Sequence, residues 1–237
     1  MGSVKLMNRV DTKFVTTVPQ LLSLLKRLEA GYLMQQIDGK YDMPYFTCYY
    51  ETADHDMFYQ HQRGKKRRQK IRTRLYEGTS ELPYLEIKTK DNKGRTKKKR
   101  VLMEDGDKLS NYPDFFDKYS GYPHKELSAT INNHFYRLTL VNLDLTERIT
   151  IDTGLEFHNL HTGTIASLPH IGIIEWKRDG LSAKSELDRH LRDLRIHQSG
   201  FSKYCMGMAL TDESLRHNRL KPKLRLLEKL GCGLIRS

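Results

Sequence analysis

Lys70-Ile71-Arg72-Thr73-Arg74-Leu75-Tyr76 sets a cation at alternate positions, with Ile71, Thr73 and Leu75 between them. A period of two is that of a β-strand, whose successive side chains point to opposite faces. One face of this strand is basic and the other is largely apolar. The pattern recurs on both sides of it. Arg9-Val10-Asp11-Thr12-Lys13-Phe14 separates Arg9, Asp11 and Lys13 from Val10, Thr12 and Phe14. Residues 82–90 place Tyr84, Glu86, Lys88 and Lys90 opposite Leu85 and Ile87. Asp91-Asn92-Lys93-Gly94 is a hairpin turn signal, and residues 95–103 return with Lys98 and Arg100 on one face. Strand character reappears at 45–51, 134–141, 148–153 and 171–177, where Glu175 and Lys177 flank Trp176.

Helices are expected between and after these strands. Thr17 can cap one, Pro19 suits its first turn, Leu21, Leu22, Leu24, Leu25 and Leu28 form its apolar face, and Gly31 can end it. Residues 110–133 read as loops and short helices, and most of the chain after Ser182 reads as helical. No internal repeat or linker divides residues 1–237, so a single domain is expected.

The 237 residues carry 41 Lys and Arg against 29 Asp and Glu, a net charge of +12, which points to an anionic partner. No apolar run is long enough to span a bilayer, and Met1–Val10 lacks the apolar core of a secretion signal. Cys48, Cys205 and Cys232 are few and far apart, which argues against a disulfide framework or zinc site and fits a reducing, cytoplasmic setting.

Each charged strand face, taken alone, reads as a solvated surface. Taken together, the faces are chemically alike, and every apolar face needs covering. An α+β fold satisfies both demands: a closed antiparallel β-barrel tunnel of about eight strands, charged inside and flanked by helices. Like charges in a confined bore repel one another, and a chain of phosphates would offset that repulsion. Arg suits bidentate contact with phosphate oxygens, and the few carboxylates could hold a divalent metal that bridges phosphates.

The motifs resemble, in order, those of the VTC (vacuolar transporter chaperone) catalytic domain, a polyphosphate polymerase branch of the triphosphate tunnel metalloenzymes. Arg9-x-Asp11-x-Lys13-Phe14 is similar to the family's opening strand, and Tyr49-Tyr50-Glu51-Thr52-Ala53-Asp54 with Phe58-Tyr59 to its second strand and aromatic turn. Arg72 and Arg74 match its paired-arginine strand. Leu85-Glu86-Ile87-Lys88 and Lys98-Lys99-Arg100 match its lysine strands, and Tyr136-Arg137 and Arg148-Ile149-Thr150-Ile151-Asp152 its later arginine strands. Ile174-Glu175-Trp176-Lys177 resembles the strand with a metal-binding glutamate, and Phe201-Ser202-Lys203-Tyr204 a C-terminal tunnel motif.

The resemblance implies transfer of the γ-phosphate of ATP to a growing inorganic polyphosphate chain, with Mn²⁺ or Mg²⁺. It implies phosphate contacts from Lys13, Arg72, Arg74, Lys88, Lys98, Arg100, Arg137, Arg148, Lys177, Ser202 and Lys203. The expected catalytic set is Arg72, Arg74, Lys88, Arg137, Arg148 and Glu175, with Glu175 and Glu86 as metal ligands. Glu86 could instead orient neighbouring arginines. Hydrolytic members of the superfamily usually open with Glu-x-Glu-x-Lys, whereas this chain has Arg9 and Asp11 at the acidic positions. That departure favours the polymerase branch. The eukaryotic proteins also carry sensor and membrane modules, so a stand-alone domain of this kind is expected to be prokaryotic. The competing expectations are a triphosphatase of the same fold and a non-enzymatic binder of polyphosphate or nucleic acid. Against nucleic acid, the cations are spread along strands at period two and are not gathered on one helix or flat patch.

Overall fold

The protein was analysed as a computed structural model, which describes residues 9–78, 80–179, 185–231 and 235–236. In chain order the elements are β1 (Arg9–Thr17), α1 (Val18–Leu28), β2 (Tyr32–Met34), β3 (Met43–Glu51), α2 (Asp56–Gln62), β4 (Arg68–Tyr76), β5 (Tyr84–Lys90), β6 (Thr96–Leu102), α3 (Pro113–Tyr119), β7 (Ser128–Asn142), β8 (Glu147–Asn159), β9 (Ile165–Leu168), β10 (Ile171–Asp179), α4 (Glu186–Asp193), α5 (Lys203–Thr211), α6 (Lys221–Lys229) and β11 (Ile235–Arg236).

The strands form one antiparallel sheet in the order β1-β10-β8-β7-β3-β4-β5-β6; β2 joins β7, and β9 joins β8 and β11. β1 and β6 end this path and do not pair with each other among the described residues, so hydrogen bonds do not close the sheet into the expected barrel. The edges show why. The outer edge of β1 is taken by the 198–199 segment: Ser199 N donates to Lys13 O at 2.8 Å, and Val15 N donates to Ser199 Oγ at 3.0 Å. β6 is exposed along Thr96–Arg100, and a lysine-rich edge resists further pairing. The sheet is nevertheless curled. Lys13 on β1 and Lys70 on β4 bond to adjacent residues, Phe201 O and Ser202 Oγ, although β10, β8, β7 and β3 lie between those strands in the path.

The back of the sheet carries the apolar positions. Thr17 and Gln20 form a capping box at the start of α1, and Leu21, Leu24 and Leu28 then fall on one face at helical spacing. With Leu187 and Leu191 of α4 they cover Phe14, Ile149, Ile151, Ile174 and Trp176. Met57 of α2 and Phe116 of α3 cover Ile71, Leu85 and Ile87. Buried Glu147 accepts from Tyr32 Oη at 2.9 Å, Trp176 Nε1 at 3.2 Å and Ser185 Oγ at 2.8 Å, tying the α4 cap to the sheet.

One helix lies on the front. α5 is buried from Tyr204 to Thr211 and packs on Tyr49, Ile131, Phe135, Phe157 and Ile173, so it fills one part of the face the sequence assigned to charge. A Cβ at Gly207 would lie 2.6 Å from Phe157 and 2.7 Å from Ile131, so this close approach requires glycine.

Several expectations are corrected. Residues 128–133 are strand, not loop, and β8 runs on to Asn159. Register shifts at Tyr49/Tyr50 and His134/Tyr136 break the period of two there. β2, β9 and β11 are additional strands, the last in a region read as helical. The helix expected from Ser182 spans Glu186–Asp193; Ser182–Lys184 lie outside the described residues. It stops because Arg195 takes a left-handed φ of 55° and Ile196 N bonds back to Leu191 O.

Candidate functional site

Strand register assembles the front face. Lys13 lies opposite Glu175, and Glu175 opposite Thr150. Lys177 lies opposite Arg148, and Asp152 opposite Arg137. Across β3 and β4, Thr47 faces Arg74 and Tyr49 faces Arg72; Arg72 in turn faces Glu86, and Lys70 faces Lys88. Glu86 faces Arg100, and Lys88 faces Lys98. Lys13, Arg72, Arg74, Glu86, Lys88, Lys98, Arg100, Arg137, Arg148, Glu175 and Lys177 therefore share one face of one sheet. Ser202 and Lys203 reach it from the start of α5.

The carboxylates hold particular cations. Glu86, fully buried, accepts from Arg72 Nε at 2.8 Å, Arg72 Nη2 at 2.6 Å and Lys98 Nζ at 2.9 Å. Asp152, also buried, accepts from Arg137 Nε at 2.6 Å and Nη2 at 2.7 Å, and from the Lys203 ammonium. Glu175 pairs with Lys177 at 2.9 Å. Burial opposes ionisation of all three, but the adjoining cations hold each carboxyl below its ordinary range.

The remaining cations lack such partners among the described residues. Arg74 is buried and donates to Thr47 Oγ1 at 3.0 Å; burial and the neighbouring Arg72 bring it down to about 10. Lys88 makes no hydrogen bond or ion pair among the described residues, and Arg72, burial and Arg74 bring its ammonium down to about 5. Arg148 Nε and Thr150 Oγ1 are buried with no hydrogen-bond partner among the described residues. Unpaired buried donors of this kind are costly unless something fills the space before them. Arg100 is exposed and lies 4.7 Å over the Tyr84 ring.

Two side chains of this face stood outside the expected set. Lys70 donates to Ser202 Oγ at 2.8 Å, and its place on the Arg72/Arg74 face was the signal that could have included it. Asp152, which positions Arg137 and Lys203, lies four residues after Arg148 on the same strand face.

The two expected metal ligands differ in fit. Glu175 has one cation partner and a side chain 19% exposed, so it can offer a carboxylate to a hard cation whose other ligands are phosphate oxygens and water. Glu86 does not fit, because both oxygens are engaged and the side chain is 0% exposed. No group of three or more His, Cys, Asp or Glu side chains suited to a metal occurs among the described residues.

The family model of the VTC domain matches residues 8–212, and the chain belongs to that family. No curated protein matches it. Among solved structures it is similar to a candidate adenylyl cyclase from Hippeastrum with a dominant triphosphatase activity, at 13% identity and a TM-score of 0.51, over 85% of this chain and 95% of that one. That likeness shows the fold alone. A candidate adenylate cyclase from Bacillus halodurans aligns at 14% identity over 83% of this chain and 96% of that one, with a TM-score of 0.49. No described helix is long and apolar enough to cross a membrane.

Proposed function

We propose that the chain is a metal-dependent polyphosphate polymerase that moves the γ-phosphate of ATP onto an inorganic polyphosphate chain held along the front of the sheet. One observation carries this reading: Arg74, Lys88 and Arg148 stand on a curled face without an ion pair among the described residues, beside arginines already fixed in place by carboxylates. Such a face is complementary to a polyanion.

Phosphoryl transfer needs in-line positioning and neutralised charge more than covalent help. Asp152 holds Arg137 by two parallel bonds, and one oxygen of Glu86 accepts from both Nε and Nη2 of Arg72, so each guanidinium presents its other donors in a fixed orientation. Arg74 and Arg148 add charge from two other strand positions, and Lys88 adds a third when the bound anion restores its proton. Glu175 would hold the divalent cation, which when bound supplies charge neutralisation between phosphates.

The acceptor's terminal phosphate is ionised at neutral pH and needs no general base. Glu86, Asp152 and Glu175 are all held too acidic to activate water well. This supports the polymerase over the hydrolase, as does Arg9 where hydrolytic relatives have glutamate. The Arg9 side chain lies outside the described residues. The test is product analysis with ATP and Mn²⁺. The reading expects ADP and phosphate chains that lengthen with time. Orthophosphate as nearly the sole product, even with a short primer present, would assign a triphosphatase.

A further inference from the structure

Three ammonium groups from three separate elements converge on three consecutive residues just before α5. Lys13 Nζ of β1 donates to Phe201 O at 3.3 Å, and Lys70 Nζ of β4 donates to Ser202 Oγ at 2.8 Å. Lys223 Nζ of α6 lies 3.4 Å from the position a Cβ would take on Gly200. None of the three is in an ion pair among the described residues; all are partly buried, and Gly200 beside them is exposed. Lys13 also faces Glu175 across the β1–β10 pair, so this cluster continues from the metal-ligating position toward solvent.

We infer that Lys13, Lys70 and Lys223 form a second anion subsite, taking phosphates of the chain beyond the triphosphate gripped by the arginines. This rests on the proposed phosphate-chain reading and extends it to where the chain leaves the face. The local field agrees with the geometry. Burial together with Lys70, Arg68, Lys223 and Lys90 brings His61 down to about 2, and burial and nearby lysines lower Lys70 and Lys223 as well. α6 lies after the 8–212 segment matched by the VTC model, so Lys223 is a contribution of the C-terminal part of this chain.

The test measures equilibrium binding of tripolyphosphate and of a size-fractionated polyphosphate several times longer, to the full chain and to Lys223→Met and Lys223→Arg. Thermal melting checks that the variants are folded. Lys223→Met is expected to weaken the longer chain roughly tenfold, the loss of one charge-assisted contact, and to change tripolyphosphate affinity less than about twofold. Lys223→Arg is expected to retain most of the long-chain affinity. Equal loss for both ligands, or none for either, would overturn the subsite. Because binding is read without turnover, a chain that made no polyphosphate would refute the polymerase and leave this result to stand or fall separately.

Discussion

Arg74 and Arg72 are neighbours on one strand face, yet their removal should have opposite effects on stability. Arg74 has no carboxylate partner among the described residues, and burial beside Arg72 and Arg137 brings it from 12.5 to about 10. At about 1.36 kcal/mol per unit, keeping it charged at neutral pH costs the folded state about 3 kcal/mol. The sign follows from linkage: a base whose folded pKa is depressed destabilises the fold below that value, and the cost disappears as pH rises toward the unfolded pKa. Arg74→Met removes the charge and keeps much of the stem. It forfeits about 1 kcal/mol for the Thr47 hydrogen bond and about 1 kcal/mol for the contacts with the Tyr45 and Phe135 rings. The ligand-free variant should therefore be more stable by about 1 kcal/mol. Arg72→Met instead leaves buried Glu86 with Lys98 as its remaining cation, and should cost about 3–5 kcal/mol. Urea denaturation at pH 7, without ligand, measures both. With tripolyphosphate present, Arg74→Met should gain less stabilisation than the unmodified chain, because it binds the anion less tightly. A ligand-free Arg74→Met variant as destabilised as Arg72→Met would refute the view that this face is strained by its own charge.

Lys88, held down to about 5 by Arg72, burial and Arg74, should be largely neutral in the ligand-free protein at pH 7, and a polyanion should recharge it. Calorimetry in two buffers of different ionisation enthalpy should show uptake of up to about one proton on tripolyphosphate binding, reduced in Lys88→Met; equal uptake in both would refute this. Asp152→Asn should cost about 3–5 kcal/mol in urea denaturation, since it leaves buried Arg137 and Lys203 without their carboxylate. Glu175→Gln should abolish metal-dependent turnover while retaining most nucleotide binding, and activity equal to wild type with or without EDTA would count against Glu175 as the metal ligand.

The charged face was legible because strand periodicity is local: every second residue of β1, β4, β5 and β6 falls on the expected side, including Lys98, despite its place in the run Lys97–Arg100. What escaped depends on contacts distant in sequence. The bulges in β3, β7 and β8 interrupt the period where those strands bend under α5. α5 has apolar residues on every side, which marks burial but not which face of the sheet receives it. Closure of the barrel was inferred from the need to remove edges, but the 198–199 segment and a lysine-rich β6 protect those edges without pairing. Within the site, the strand pattern gave the cations, whereas the pairing of Glu86 with Arg72 and Lys98, and of Asp152 with Arg137 and Lys203, became visible only in three dimensions.

The most direct measurement is a crystal structure of the chain with tripolyphosphate. The account predicts phosphates on the front of the sheet, contacting Arg72, Arg74, Lys88, Arg137 and Arg148, with Arg148 Nε gaining a partner. Phosphates bound instead in the outer cleft lined by Lys65, Arg67 and Lys118, with the front face empty, would contradict it.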